Sequence, residues 1–170
     1  MKTFGKKAST AILLFSWFGF LSMPGWAIAQ ETSPVQRVAR VKLTPEVQEA
    51  ISKGLVFLSK TQKQDGSWGD KHPVADTSLA LMSFMLQGHV PGRGSYGDHM
   101  ERGLAYIVNV GKKGRGGYLG TPSHHGGMYE HGLAILALSE AWGQSTNRDL
   151  RNTLRRAVDV TIRAQNSQGG

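Results

Sequence analysis

The chain of 170 residues contains no cysteine. That absence excludes disulfides, thiolate nucleophiles, thioester chemistry, Cys-ligated zinc and a lipid anchor on cysteine. Charge is modest, with 20 Lys+Arg against 12 Asp+Glu, and 39% of residues are hydrophobic. Such a composition argues for one modest folded domain and against wholesale disorder. No basic stripe interleaved with aromatic residues runs along the chain, so nucleic acid is not an expected partner. Glycine, by contrast, is abundant at 22 residues, without a collagen-like period.

The first residues read as a targeting segment. Lys2, Lys6 and Lys7 form a basic start, Ala8 to Met23 is uncharged and mostly apolar, and Pro24-Gly25 breaks any helix. Ala27-Ile28-Ala29 then places small residues where a signal peptidase needs them, so residues 1–29 read as a signal peptide cut between Ala29 and Gln30. The rival reading is an uncleaved anchor, because Ala8 to Ala29 runs 22 residues without a charge and ~20 span a bilayer. Cleavage implies an exported protein, periplasmic or secreted, with no membrane span left. It also lowers the formal net charge from +8 to +5, since the leader holds those three lysines and no acid. Residues 30–43 are polar and aperiodic and read as a linker.

From residue 44 onward the chain repeats itself at about fifty residues. Lys53-Gly54-Leu55 recurs as Arg102-Gly103-Leu104 and, more loosely, as Arg156-Ala157-Val158. A glycine-aromatic turn follows at Asp65-Gly66-Ser67-Trp68-Gly69 and again at Gly116-Gly117-Tyr118, and an apolar helix follows each turn. The expected units are 44–96, 97–147 and an incomplete 148–170.

Each unit combines two kinds of helix. The first is amphipathic: Val47, Ala50, Ile51, Gly54, Leu55 and Leu58 keep helical spacing, with Thr44 as N-cap and Pro45 at the first helical position. The second lacks a polar face. Thr77 to Gln87, capped by Asp76, and Tyr129 to Trp142 are nearly continuously apolar, which calls for burial on both sides. Alternation of the two predicts an all-α protein of two layers, an α/α solenoid or closed toroid.

Lys53, Gly54, Phe57, Leu58, Gln62, Gly66 and Trp68 together resemble the QW motif of squalene cyclases and prenyltransferase repeats. The exported bacterial type of that family is the nearer likeness, through Met128 to Ala134, and the resemblance covers Val47 to Gly170, as an N-terminal fragment of the toroid with two and a half repeats. It implies that Gln62 bonds helix-end backbone groups and stacks on Trp68, stapling one repeat to the next. The second copy lacks the glutamine and puts Tyr118 in the tryptophan's place, so its staple is expected to be weaker.

Catalysis does not carry over residue by residue. Cyclases of the family protonate an alkene with an aspartic acid in a DxDD motif, and the matching residues here are Pro73, Val74, Ala75 and Asp76, with Ala75 in place of the proton donor. The family's prenyltransferases bind zinc through Asp, Cys and His, and the thiolate is missing. His124, His125 and His131, with Glu130, are a cysteine-free metal candidate. Asp76, Glu130 and His131 are the catalytic candidates, Asp76 doubling as a helix cap and Glu130 as a helix-dipole partner. The inner-helix starts are expected to form a polar rim at one mouth of the ring.

The resemblance thus implies a module binding an apolar, isoprenoid-like ligand between its inner helices, with no cofactor. Any enzymatic activity would be of terpenoid cyclase (isomerase) or prenyltransferase type. The alternative is a non-catalytic protein-interaction scaffold of the cell envelope.

Overall fold

Thr44 and Pro45 open the first helix: proline fills the first helical position, whose amide needs no partner, and the Thr44 hydroxyl accepts from the Val47 amide at 3.4 Å. The structure, a computed structural model, describes residues 43–121 and 127–169. The expected leader, the linker as far as Lys42, and His124 and His125 lie outside the described residues.

Among the described residues five α-helices follow in order: α1 Pro45–Thr61, α2 Pro73–Leu86, α3 Gly97–Lys113, α4 Gly127–Ala141 and α5 Leu150–Ala164. A short helical turn at Arg115–Gly117 lies between α3 and α4. The described residues hold no strand, and the protein is all-α. None of these helices is long and apolar enough to cross a membrane.

Helix α2 begins one turn earlier than the apolar run suggests. Pro73 is its first residue and His72 its N-cap, so Asp76 lies inside the first turn and is not the cap. Proline's fixed φ starts the helix, whereas an aspartate in the first turn only complements its dipole. The far end stops at Gly88 (φ 79°), whose amide donates to Met85 O while those of Gln87 and His89 donate to Phe84 O.

Helices α2 and α4 lie side by side as the most extensive helix pair, and α3 and α5 pack against them. Leu81 and Phe84 of α2, Leu104 and Ile107 of α3, and Leu138 of α4 are fully buried. Each contributes about 1.5–3 kcal/mol of apolar burial. Burial is not two-sided for α2 and α4, however: Leu79, Leu136 and Tyr129 are exposed, and Leu86 is 81% exposed. Helix α1 is held loosely, with Leu55 alone buried and Phe57 64% exposed.

Candidate functional site

Two groups of residues organise the ends of α2 and α4, and the turn before α2 fixes the first. Gln62, just past α1, uses its whole amide. Its Nε2 donates to Gly66 O at 2.9 Å and to His99 O at 2.8 Å, while its Oε1 accepts from Arg102 Nη2 at 2.7 Å and from His99 Nδ1 at 2.8 Å. That leaves no donor or acceptor of the amide unused. Burial and the neighbouring Arg102 charge push the His99 pKa down, in keeping with a neutral ring that donates from Nδ1. Trp68 is buried, donates from Nε1 to Leu58 O at 2.7 Å, and tilts against Phe84 at 6.3 Å. Gly66 takes φ 91° with its Cα pressed on the Arg102 carbonyl, a place with no room for a side chain. Lys53 pairs with Glu49 one turn before it, Phe57 faces outward, and a Cβ on Gly54 would meet nothing within 4 Å.

The turn before α4 makes corresponding contacts one residue later than the aromatic pattern suggests. Gly117 (φ 99°) presses on Arg156 as Gly66 does on Arg102. The next residues are Tyr118 and the fully buried Leu119, so Leu119 holds the place of Trp68 and Tyr118 that of Ser67. The amide of Trp68 donates to Thr77 Oγ1 at 3.0 Å, and the amide of Leu119 donates to His131 Nδ1 at 3.0 Å. Thr77 and His131 are each the fifth residue of their helix, α2 and α4.

His131 is therefore a bridge. Its Nδ1 accepts from Leu119, which leaves the proton on Nε2, directed at Ala157 O of α5 at 3.1 Å. Tyr118 stacks on the ring at 5.2 Å, and burial holds its pKa below the ordinary histidine value. Both nitrogens are engaged, which leaves the neutral ring no free lone pair for a metal or a substrate proton.

Glu130, its neighbour, is equally committed. Oε1 meets His72 Nδ1 at 2.7 Å, and Oε2 accepts from the Thr121 amide at 3.0 Å and the Thr121 hydroxyl at 2.8 Å. The carboxyl is 1% exposed. Burial alone would raise its pKa, but the bonds from His72 and Thr121 outweigh this and hold it below the usual carboxylate range. Such a group stays charged at neutral pH and is a poor proton donor. The contact joins the start of α2 to the start of α4, so the two helices run parallel and their N-termini share one end. His72 and Thr121 were not foreseen; the only signal was the placing of His72 directly before Pro73.

Of the remaining candidates, Asp76 folds its carboxylate over Gly69 in its own turn, and Ala75 is buried. Among the described residues no three His, Asp or Glu side chains gather closely enough to hold a metal ion.

The second group lies at the opposite end of the same helix pair. Met82, Met85 and Leu86 of α2, Leu136 and Glu140 of α4, and Gln144 beyond it line a cavity of about 310 Å³. Its wall is apolar except at the rim, the usual character of a small-molecule site. Comparison with known protein families, with characterised proteins and with solved structures finds no match for this chain.

Proposed function

We propose that the chain is an exported module of the squalene cyclase and prenyltransferase repeat type, that it binds an apolar, isoprenoid-like molecule along α2 and α4, and that it performs no cyclisation. The observation that carries the reading is the cavity lined by Met82, Met85, Leu86 and Leu136, of which Leu86 and Leu136 are exposed. Exposed apolar surface of this kind marks a binding site more often than chance exposure. The α/α toroid belongs to the same reading, supported by the corresponding contacts of Gly66 with Arg102 and of Gly117 with Arg156. Against catalysis stand Ala75 at the family's acid position and the full engagement of Glu130 and His131.

The test incubates the purified protein with squalene and with a polyprenyl phosphate, then measures co-elution and turnover by mass spectrometry. The expected result is a bound, unchanged lipid that is lost in a Leu86→Gln/Leu136→Gln double variant. Neither lipid binding, with an envelope protein recovered by crosslinking instead, would replace this reading by that of a scaffold.

A further inference from the structure

The helix pair that forms the cavity is electrically lopsided. Since α2 and α4 run parallel, with His72 and Glu130 in contact at their starts, both C-termini lie at the cavity end. A helix C-terminus carries a partial negative charge, which proteins commonly offset with a cation in the last turn. The other three helices follow that practice: Lys60 ends α1, Lys112 and Lys113 end α3, and Arg163 ends α5. Neither α2 nor α4 has a basic residue in its last turn. The following turns return a few amides, from Gln87, Gly88, Gln144 and Ser145, to the last carbonyls. The Arg151 guanidinium lies 5.8 Å from the ring centroid of Trp142, the residue after α4, so a cation stands near the end of that helix and none is found in the last turn of α2.

Glu140 adds to the imbalance. It is the charged residue among those lining the cavity, it is exposed, and it makes no ion pair among the described residues. The apolar cavity is thus bordered by the C-terminus of α2, with no basic residue in its last turn, and by the Glu140 carboxylate, which makes no ion pair among the described residues. We infer that the cavity takes a lipophilic cation, a hydrocarbon chain bearing an ammonium head, with the head at Glu140 and the chain against Met82, Met85, Leu86 and Leu136. A phosphate or diphosphate head would meet the same charges with the opposite sign. The inference rests on the reading that this face binds an apolar ligand, and it specifies the ligand's polar end. At ~30 Å³ per heavy atom, the volume of about 310 Å³ holds on the order of ten heavy atoms. Two adaptable methionines suit a chain without a fixed shape.

The experiment titrates the full chain with decyltrimethylammonium, 1-decanol and decyl phosphate below their micellar concentrations, by calorimetry at 50 and 500 mM salt. Expected is a preference for the ammonium of about tenfold over the alcohol at low salt, with the phosphate weakest. Glu140→Gln, an exposed change, should remove most of that preference and leave the alcohol's affinity unchanged. Equal binding of the three, abolished together by Leu136→Gln, overturns the ammonium inference while keeping the apolar-ligand reading. A preference for phosphate, or an ammonium preference insensitive to Glu140→Gln, also overturns it. Binding of none of the three removes both.

Discussion

Gly54 and Gly103 hold the same place in the two Lys/Arg-Gly-Leu segments, yet alanine at each is expected to act with opposite sign. Gly54 is exposed within α1, and a Cβ built on it would meet nothing within 4 Å. Alanine there gains the full helix propensity difference of about 0.8–1.0 kcal/mol. Gly103 is buried within α3, and its Cβ would stand 2.9 Å from Trp68 Cζ3 and 3.1 Å from Leu81 Cδ2. The indole cannot swing away, because its Nε1 is bonded to Leu58 O at 2.7 Å and its backbone amide to Thr77 Oγ1. Overpacking of this kind costs about 1–3 kcal/mol. Set against the same propensity gain, the net change is a loss of roughly 0–2 kcal/mol. The effect of Gly→Ala on the unfolded chain is common to both and cancels in the comparison.

Urea unfolding followed by circular dichroism, with equal m-values as a check on the two-state assumption, reads the difference. A gap of about 2 kcal/mol between the two variants is expected, with Gly54→Ala the more stable. Because α1 buries so little, it can open below the global transition; slower amide exchange within α1 then reports its gain. A Gly103→Ala protein as stable as Gly54→Ala would refute the close approach of α3 to Trp68.

Three further perturbations test the site. Gln62→Ala removes four hydrogen bonds, three of them part-buried, and should lower stability by about 2–3 kcal/mol; Gln165→Ala, whose amide makes one exposed bond of 3.5 Å to Gly169 O, should change it by less than about 0.5 kcal/mol, and similar losses in urea would discount the Gln62 network. His131 is held neutral with its pKa depressed by burial, so the unfolded state binds the extra proton first; that contribution is present in full above the unfolded pKa of about 6.5 and fades as pH falls toward the folded value. His131→Gln, which keeps an acceptor for Leu119 and a donor for Ala157, should flatten the stability profile below about pH 6.5, and an unchanged profile would remove His131 as its source. Glu130, with its pKa lowered in the fold against the pull of burial, contributes stability that is present above about pH 4.3 and lost as pH falls below it. Glu130→Ala should cost about 2–3 kcal/mol at pH 7 by removing the acceptor of the Thr121 amide and hydroxyl and the contact with His72, and a loss under about 1 kcal/mol measured by urea unfolding would count against it.

What was legible in the sequence is what local chemistry decides. Thr44 and Pro45 announce the start of α1, glycines 88 and 143 follow the ends of α2 and α4, and apolar spacing marks all five helices. Asp76 misled because aspartate favours an N-cap as strongly as proline favours the first position, and only one residue can begin the helix. Tyr118 misled because the aromatic ring is conspicuous, whereas the conformation of Gly117 decides which residue turns inward. The partners of Glu130 were out of reach for a different reason. His72 lies 58 residues away, and a pairing across that distance follows from helix packing, not from any local pattern.

The polar rim expected at the helix starts also changes meaning once the partners are seen. Glu130, His131 and Thr77 are buried and bonded there, so that end fastens α2 to α4, to the turns and to α5. Acids in the first turns, Asp76 and Glu130, offset the positive helix ends. At the other end the last turns of α2 and α4 hold no basic residue, Arg151 stands over Trp142 just past α4, and Leu86 and Leu136 are exposed. On the reading proposed above, a parallel pair locked at its N-termini leaves the second end for a ligand. The chemistry-bearing residues conspicuous in the sequence therefore hold the fold, and on the proposed reading recognition falls to Met82, Met85, Leu136 and Glu140, a set whose spacing spans two helices.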